Sequence, residues 1–131
     1  MDKLFELGIN DNDLRFMLEQ VPNIFYMNSE EVCNKINILK YVGCTDRQIK
    51  NIIVSNPNYL DRIDNDILKL ISYLKHIGFN NIDLLFDSNP YFLNYDVFEI
   101  EDYVNKRVME GKKIEDIIDI IEENSYIIDE E

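Results

Sequence analysis

Acidic side chains are the most numerous of the residues in this sequence that could carry out chemistry. Its 131 residues include 26 Asp and Glu, 13 Lys and Arg, one histidine and two cysteines. Asp61, Asp64 and Asp66 lie close together in the sequence, as calcium ligands can, yet the glycine and the bidentate glutamate of an EF-hand loop are missing at the required spacing. Asp64 is more simply explained as the N-cap of a helix. We therefore predict no metal site here.

The other reactive residue types are also predicted to have structural roles. His76, the only histidine, falls in the last turn of a predicted helix, where a cation complements the helix dipole. Cys33 and Cys44 fit no metal or redox spacing, so we interpret them as packing residues in a reducing compartment. Nucleophile-elbow and glycine-rich phosphate-binding motifs do not occur in the sequence. The prediction is a protein that is not an enzyme, with no catalytic residue and no cofactor.

Charge is distributed unevenly along the chain. The net charge is −13; residues 1–65 contain 10 acidic and 7 basic residues, and residues 66–131 contain 16 and 6. Such a field repels nucleic acid and anionic membranes and attracts basic partners, although acidity can also serve solubility alone. The candidate partner-binding residues are carboxylates of the last two predicted helices: Glu99, Glu101, Asp102, Asp116, Asp119, Glu122 and Glu123.

A spacing of about 35 residues organises the elements that would position these groups. Gly8, Gly43, Gly78 and Gly111 are separated by 35, 35 and 33 residues, and a proline or serine follows each of them at a similar distance: Pro22, Pro57, Pro90 and Ser125. This period is typical of stacked helical repeats. We predict one domain over residues 1–131, with repeats at about 8–42, 43–77 and 78–110 and a partial repeat at 111–131.

Each repeat is predicted to contain a helix A, a short turn after the proline, and a helix B. Apolar residues recur at helical spacing in every helix A, as in Ile49, Ile52 and Ile53. An apolar pair just past each proline or serine is predicted to lie in this turn, tucked under the two helices: Ile24-Phe25, Tyr59-Leu60, Phe92-Leu93 and Ile127-Ile128. The helix B stripe of the third repeat is predicted to shift to Val108. Most tyrosines among Tyr59, Tyr91, Tyr95, Tyr103 and Tyr126 are interpreted as core, with an aromatic binding face as the alternative.

The recurring unit resembles the mitochondrial transcription termination factor (mTERF) repeat. The resemblance rests on a glycine flanked by hydrophobic residues and on a helix that ends in Asn-Pro-x-aromatic-Leu or a close variant, clearest from Leu39 to Leu60 and from Leu74 to Leu93. It implies an all-α fold, a short right-handed α-solenoid of helix–helix–3₁₀ repeats. Known members bind nucleic acid along a basic concave face. Here only Lys40 and Lys75 occupy matching positions before their glycines, which argues against direct nucleic-acid binding.

Three functions remain open at this point. The leading prediction is a non-catalytic module that binds another macromolecule, most simply a protein, which could be basic or a nucleic-acid enzyme. The first alternative is an acidic nucleic-acid mimic that inhibits a DNA- or RNA-processing enzyme, of the anti-restriction or anti-CRISPR type. The second alternative retains the nucleic-acid binding that the mTERF resemblance implies.

Location and oligomeric state are predicted from what the sequence lacks. No segment is long enough to span a bilayer and the first residues lack a signal-peptide pattern, so we predict a cytoplasmic protein, or one of the host cytoplasm if a phage or plasmid encodes it, without a membrane partner. The last helix A has no helix B after it. Its apolar edge, at Ile118 and Ile121, could pair with a second copy.

Overall fold

The computed structural model describes residues 2–130, which form eight α-helices and four 3₁₀ helices, with no strand in that range. The α-helices are α1 (Asp2–Glu6), α2 (Asp11–Gln20), α3 (Ser29–Tyr41), α4 (Asp46–Ser55), α5 (Asp64–Ile77), α6 (Ile82–Ser88), α7 (Val97–Met109) and α8 (Ile114–Glu123). The 3₁₀ helices are η1 (Pro22–Tyr26), η2 (Pro57–Asp61), η3 (Pro90–Asn94) and η4 (Ser125–Glu130). Four units follow: α2-η1-α3, α4-η2-α5, α6-η3-α7 and α8-η4.

Local sequence signals account for most of the helix ends. Thr45 and Gln48 form the predicted capping box of α4, and Asp96 and Glu99 form that of α7. Asp64 is not an N-cap, because α5 begins at Asp64 itself and its carboxylate is paired with the buried ammonium of Lys35. The prediction for Asp64 was therefore wrong, since a tertiary ion pair replaced a local cap.

Equivalent elements of successive units stack on one another. Helices α2, α4 and α6 form one layer, α1, α3, α5 and α7 form a second layer, and η1, η2 and η3 form a row between them. Because each unit repeats the same chain order, the C-terminal ends of the second layer lie along one edge of the stack. The result is an all-α repeat solenoid, and the predicted fold class is confirmed.

The core follows the predicted helix A stripes, with two exceptions elsewhere. Val108 is exposed, because Arg107 occupies the buried-stripe position of Leu74 and pairs with Glu110 at 3.0 Å. Phe25 is also exposed, although its counterparts in η2 and η3 are buried. Those later segments each pack on a preceding 3₁₀ helix, and η1 is the first of the row. Both predictions of burial were wrong.

The last unit packs less closely than the others. Helix α4 packs closely on α6, but a groove of about 350 Å³, lined by residues of α6 and by Glu122, lies between α6 and α8. Ile121 is fully buried. Ile118 packs against Gly78, where an added Cβ atom would lie 3.5 Å from Ile118 Cδ1. Ile121 therefore cannot form the surface contact that the sequence predicted for a dimer, since it packs in the core of its own chain.

Candidate functional site

The seven predicted partner-binding carboxylates lie on two separate surfaces. Glu99, Glu101 and Asp102 belong to α7, and the remaining four belong to α8. Asp102 is paired with Lys106 at 3.1 Å, and Glu99 caps α7. Glu99 and Asp102 line a small cavity of about 210 Å³, whereas Glu122 lines the groove between α6 and α8. The structure therefore brings only part of the predicted set together.

The tyrosines divide between the core and the surface. Tyr59, Tyr95 and Tyr103 are buried, in line with the core interpretation, whereas Tyr91 and Tyr126 are about half exposed. The two exposed rings lie at the wall of a second cavity of about 280 Å³ where η3, η4 and the start of α7 meet. Its lining residues are Asn89, Tyr91, Asn94, Tyr95, Glu99, Tyr126 and Asp129.

A lysine lies in the last turn of each of the four second-layer helices. They are Lys3 of α1, Lys40 of α3, Lys75 of α5 and Lys106 of α7. Lys112 and Lys113 follow in the loop after α7. We call these six residues the lysine edge. Counting back from the glycines identified only Lys40 and Lys75, because Lys3 and Lys106 both lie two residues farther from their glycines.

Direct contacts place these last turns side by side. The Lys75 ammonium lies 3.8 Å from the centre of the Tyr41 ring, which joins the ends of α5 and α3. Lys3 and Lys40 line one groove of about 220 Å³. Lys3 and Lys106 have carboxylate partners within their own helices. Carboxylates in the first turns of the adjoining A helices share this edge, so its cations are roughly balanced there.

Among the described residues, the opposite edge of the solenoid carries more carboxylates than exposed cations. Its carboxylates lie in the 3₁₀ helices and around the starts of the second-layer helices. Of its bases, Lys35 is buried and paired with Asp64, and Arg62 donates to the carbonyl oxygens of Asn94 and Tyr95 at 2.9 and 3.3 Å. We call this surface the acidic edge; it comprises Glu30, Glu31, Asp61, Asp66, Asp96, Glu99 and Asp129.

The two edges are electrostatically separate along α3 at physiological ionic strength, whereas at α7 they approach each other, since Lys106 lines one cavity with Glu99 and Asp129. Helix α3, with its 13 residues, is about 20 Å long, and the screening length in about 0.15 M salt is about 8 Å. A ligand at one edge therefore experiences mainly the charges of that edge. The net charge of the whole chain does not decide what either edge binds.

The cysteines and the metal-binding residue types provide no chemical centre in the described part of the chain. Burial, assisted by the carboxylates of Asp83 and Asp87, raises the pKa of Cys44 to about 12, so this thiol stays protonated at neutral pH. Within residues 2–130, no group of three His, Cys, Asp or Glu side chains is arranged to hold a metal ion. His76 is exposed in the last turn of α5, where it was predicted.

The repeated stacking of helix, 3₁₀ helix and helix defines the class of this protein as an α-helical repeat protein. A sequence profile of the mTERF family matches residues 1–120, and the chain therefore belongs to the mTERF family. The predicted resemblance is confirmed over nearly the whole chain. Comparison with curated proteins gives no significant match. None of the helices described is long and apolar enough to cross a membrane.

Proposed function

We propose that this protein binds the phosphate backbone of nucleic acid along the lysine edge, without catalysis. Two findings support the proposal: the chain belongs to a family whose members typically bind nucleic acid, and the fold repeats a lysine in the last turn of each second-layer helix. The repetition is the observation that carries the proposal. Phosphates follow one another along a strand, and a row of cations with a regular period can contact several of them at once.

The charges of the edge set the expected strength of binding. Lys40, Lys75, Lys112 and Lys113 have no carboxylate within 4 Å among the described residues, so these four lysines have no ion pair to break when they meet phosphates. Four such contacts give a slope of about −3 to −4 for log affinity against log salt on duplex DNA. Because carboxylates share the edge, we expect a dissociation constant in the range of about 10⁻⁴ to 10⁻⁶ M, without sequence preference.

The test is a salt series of fluorescence anisotropy titrations with a labelled DNA duplex of about 20 base pairs and a single-stranded RNA of similar length. The variant Lys40→Gln/Lys75→Gln/Lys112→Gln/Lys113→Gln should weaken binding at least about tenfold and flatten the salt slope to nearly zero. The control Arg15→Gln/Lys69→Gln removes two exposed cations outside the lysine edge and should change the affinity less than about twofold. Absence of binding in about 20 mM salt, or equal losses in variant and control, would contradict the proposal.

Protein binding is the second candidate function, and the acidic edge supports it. Lys35 and Arg62 of that edge are held in structural contacts and its carboxylates outnumber its exposed cations, so it offers a net negative surface to a basic partner. The nucleic-acid mimic stays a prediction that requires the carboxylates of α7 and α8 to act together. Their separation into two surfaces makes a single continuous imitation of a phosphate backbone less favourable than the binding of a basic segment.

A further inference from the structure

The cavity between η3 and η4 has polar walls that contain an unfilled hydrogen-bonding position. Asn89 is only 1% exposed, and its side-chain oxygen has no hydrogen-bond partner among the described residues. A buried acceptor without a partner costs about 1–3 kcal/mol, so such groups are normally paired. Because Asn89 lines the cavity, a donor group bound there could form a hydrogen bond to the Asn89 side-chain oxygen.

The preceding interface shows how the same position is satisfied when it is closed. Asn56, which precedes Pro57 as Asn89 precedes Pro90, donates to Asn94 Oδ1 at 3.0 Å and accepts from Asn94 Nδ2 at 3.2 Å. It also donates to the Pro90 carbonyl oxygen at 3.0 Å. The residue equivalent to Asn94 in the fourth unit is Asp129, whose carboxylate has no N–H group to donate to Asn89.

The other walls of the cavity favour a planar cation. Glu99 and Asp129 supply carboxylates, and the half-exposed Tyr91 and Tyr126 supply rings. Burial, together with a hydrogen bond from its hydroxyl to Asp129, raises the pKa of Tyr95 above its usual range, so this group remains a neutral donor. No lysine or arginine lines this cavity. A site with carboxylates, an amide oxygen and aromatic faces matches the guanidinium group, which has five N–H donors and stacks on rings.

We propose that this cavity receives an arginine side chain of a basic protein segment. The guanidinium donates to the carboxylates of Asp129 and Glu99 and to Asn89 Oδ1, with Tyr91 and Tyr126 beside its plane. The proposal rests on the second candidate function, binding of a basic protein at the acidic edge, and it is independent of nucleic-acid binding at the lysine edge. The proposal specifies arginine as the residue of the partner that this cavity binds.

The substitution Asp129→Asn separates this site from general attraction between charges. It removes the carboxylate that holds the guanidinium, and the amide that it introduces can donate to Asn89 as Asn94 does to Asn56. We therefore expect Asp129→Asn to weaken arginine binding about tenfold or more while it raises the urea midpoint of unfolding. Asp116→Asn, an equal change of charge on the exposed face of α8, is the matched control and should change both quantities little.

The experiment measures fluorescence anisotropy of labelled peptides with the full chain in about 0.15 M salt. The probes are three peptides of alternating glycine and one other residue: arginine, lysine or citrulline. Preference for the arginine peptide by about tenfold over the lysine peptide, lost in Asp129→Asn and kept in Asp116→Asn, supports the site. The substitution Glu99→Gln, which can keep the capping box, should also weaken binding of the arginine peptide.

Two other outcomes overturn the proposal in different ways. Equal binding of the arginine and lysine peptides, with equal losses in Asp129→Asn and Asp116→Asn, would leave a general acidic surface and no arginine site. Absence of binding by all three peptides would reject both the site and the basic-partner function on which it rests. Neither outcome affects the test with nucleic acid, because that test concerns the opposite edge.

Discussion

The interface between the second and third units and the interface between the third and fourth units use the same positions differently. At the first, the amides of Asn56 and Asn94 exchange two hydrogen bonds, and α4 packs closely on α6. At the second, Asn89 faces a cavity shared with Asp129, and a groove separates α6 from α8. Repetition of a fold thus conserves the helices more strongly than it conserves the polar contacts between them.

The difference has a physical reason at one residue. An asparagine side chain both donates and accepts, so a pair of them can satisfy each other completely. An aspartate carboxylate only accepts, so Asp129 cannot satisfy the Asn89 oxygen as Asn94 satisfies that of Asn56. The interface with Asp129 is therefore less stable, and it leaves an open, negatively charged position. In a helical repeat array, stability is the sum of units and of such interfaces, so this local loss can be tolerated.

The largest expected effect comes from breaking the closed interface. Asn56→Ala should lower the free energy of unfolding by about 2–4 kcal/mol, because it leaves the Asn94 amide and the Pro90 carbonyl unpaired in a buried position. The equivalent Asn89→Ala should cost about 1 kcal/mol or less, since the Asn89 oxygen has no partner to lose. Urea unfolding followed by circular dichroism measures both values. Equal losses at the two positions would show that the interfaces do not differ in the way described.

A double-mutant cycle examines the open interface more closely. Asp129→Asn should raise the free energy of unfolding by about 1 kcal/mol in the natural sequence, because it supplies the donor that Asn89 lacks. In an Asn89→Ala background the same substitution should have almost no effect, which gives a coupling energy of about 1 kcal/mol. The four urea curves of the cycle provide the measurement. A gain that persists without Asn89 would assign the stabilisation to the removed charge instead of to the new hydrogen bond.

The smallest expected effect on stability at neutral pH comes from Cys44. This thiol lies near Asp83 and Asp87 of α6, so its state reports on the closed interface between the second and third units. The unfolded chain loses the Cys44 proton near its ordinary pKa of 9.0, whereas the folded chain keeps it until about pH 12. Stability from this thiol is therefore complete below pH 9 and declines as the pH rises toward 12. The buried Tyr59 and Tyr95, whose pKa values are also raised by burial, act in the same direction.

Alkylation of the folded protein near pH 8.5 provides the measurement. Mass spectrometry should show modification of the half-buried Cys33 well before that of Cys44. A Cys33→Ser variant isolates the slow reaction of Cys44. Modification of both thiols at similar rates would indicate that the closed interface opens readily.

The sequence predicted the fold because its signals are local and repeated. Glycines, prolines and helical stripes of apolar residues recur every 33 to 35 residues, and each of them constrains the backbone or one helix face without help from distant residues. The capping boxes at Thr45 and Asp96 are equally local, and both are present. The prediction for Asp64 failed because a tertiary partner, Lys35, paired with its carboxylate. The prediction for Val108 failed because Arg107 kept the stripe position, next to its local partner Glu110.

The candidate sites depended on contacts that no local pattern contains. The sequence placed carboxylates on α7 and α8, but only the packing of units determined that Glu99 meets Asp129 and that Glu122 faces another groove. Stacking of the second-layer helices likewise joined four lysines into one edge. The repeat itself was set by the sequence, because helix ends and apolar stripes are properties of short segments. Which side chains face one another was decided by the stacked tertiary structure, because those residues lie a whole repeat apart in the chain.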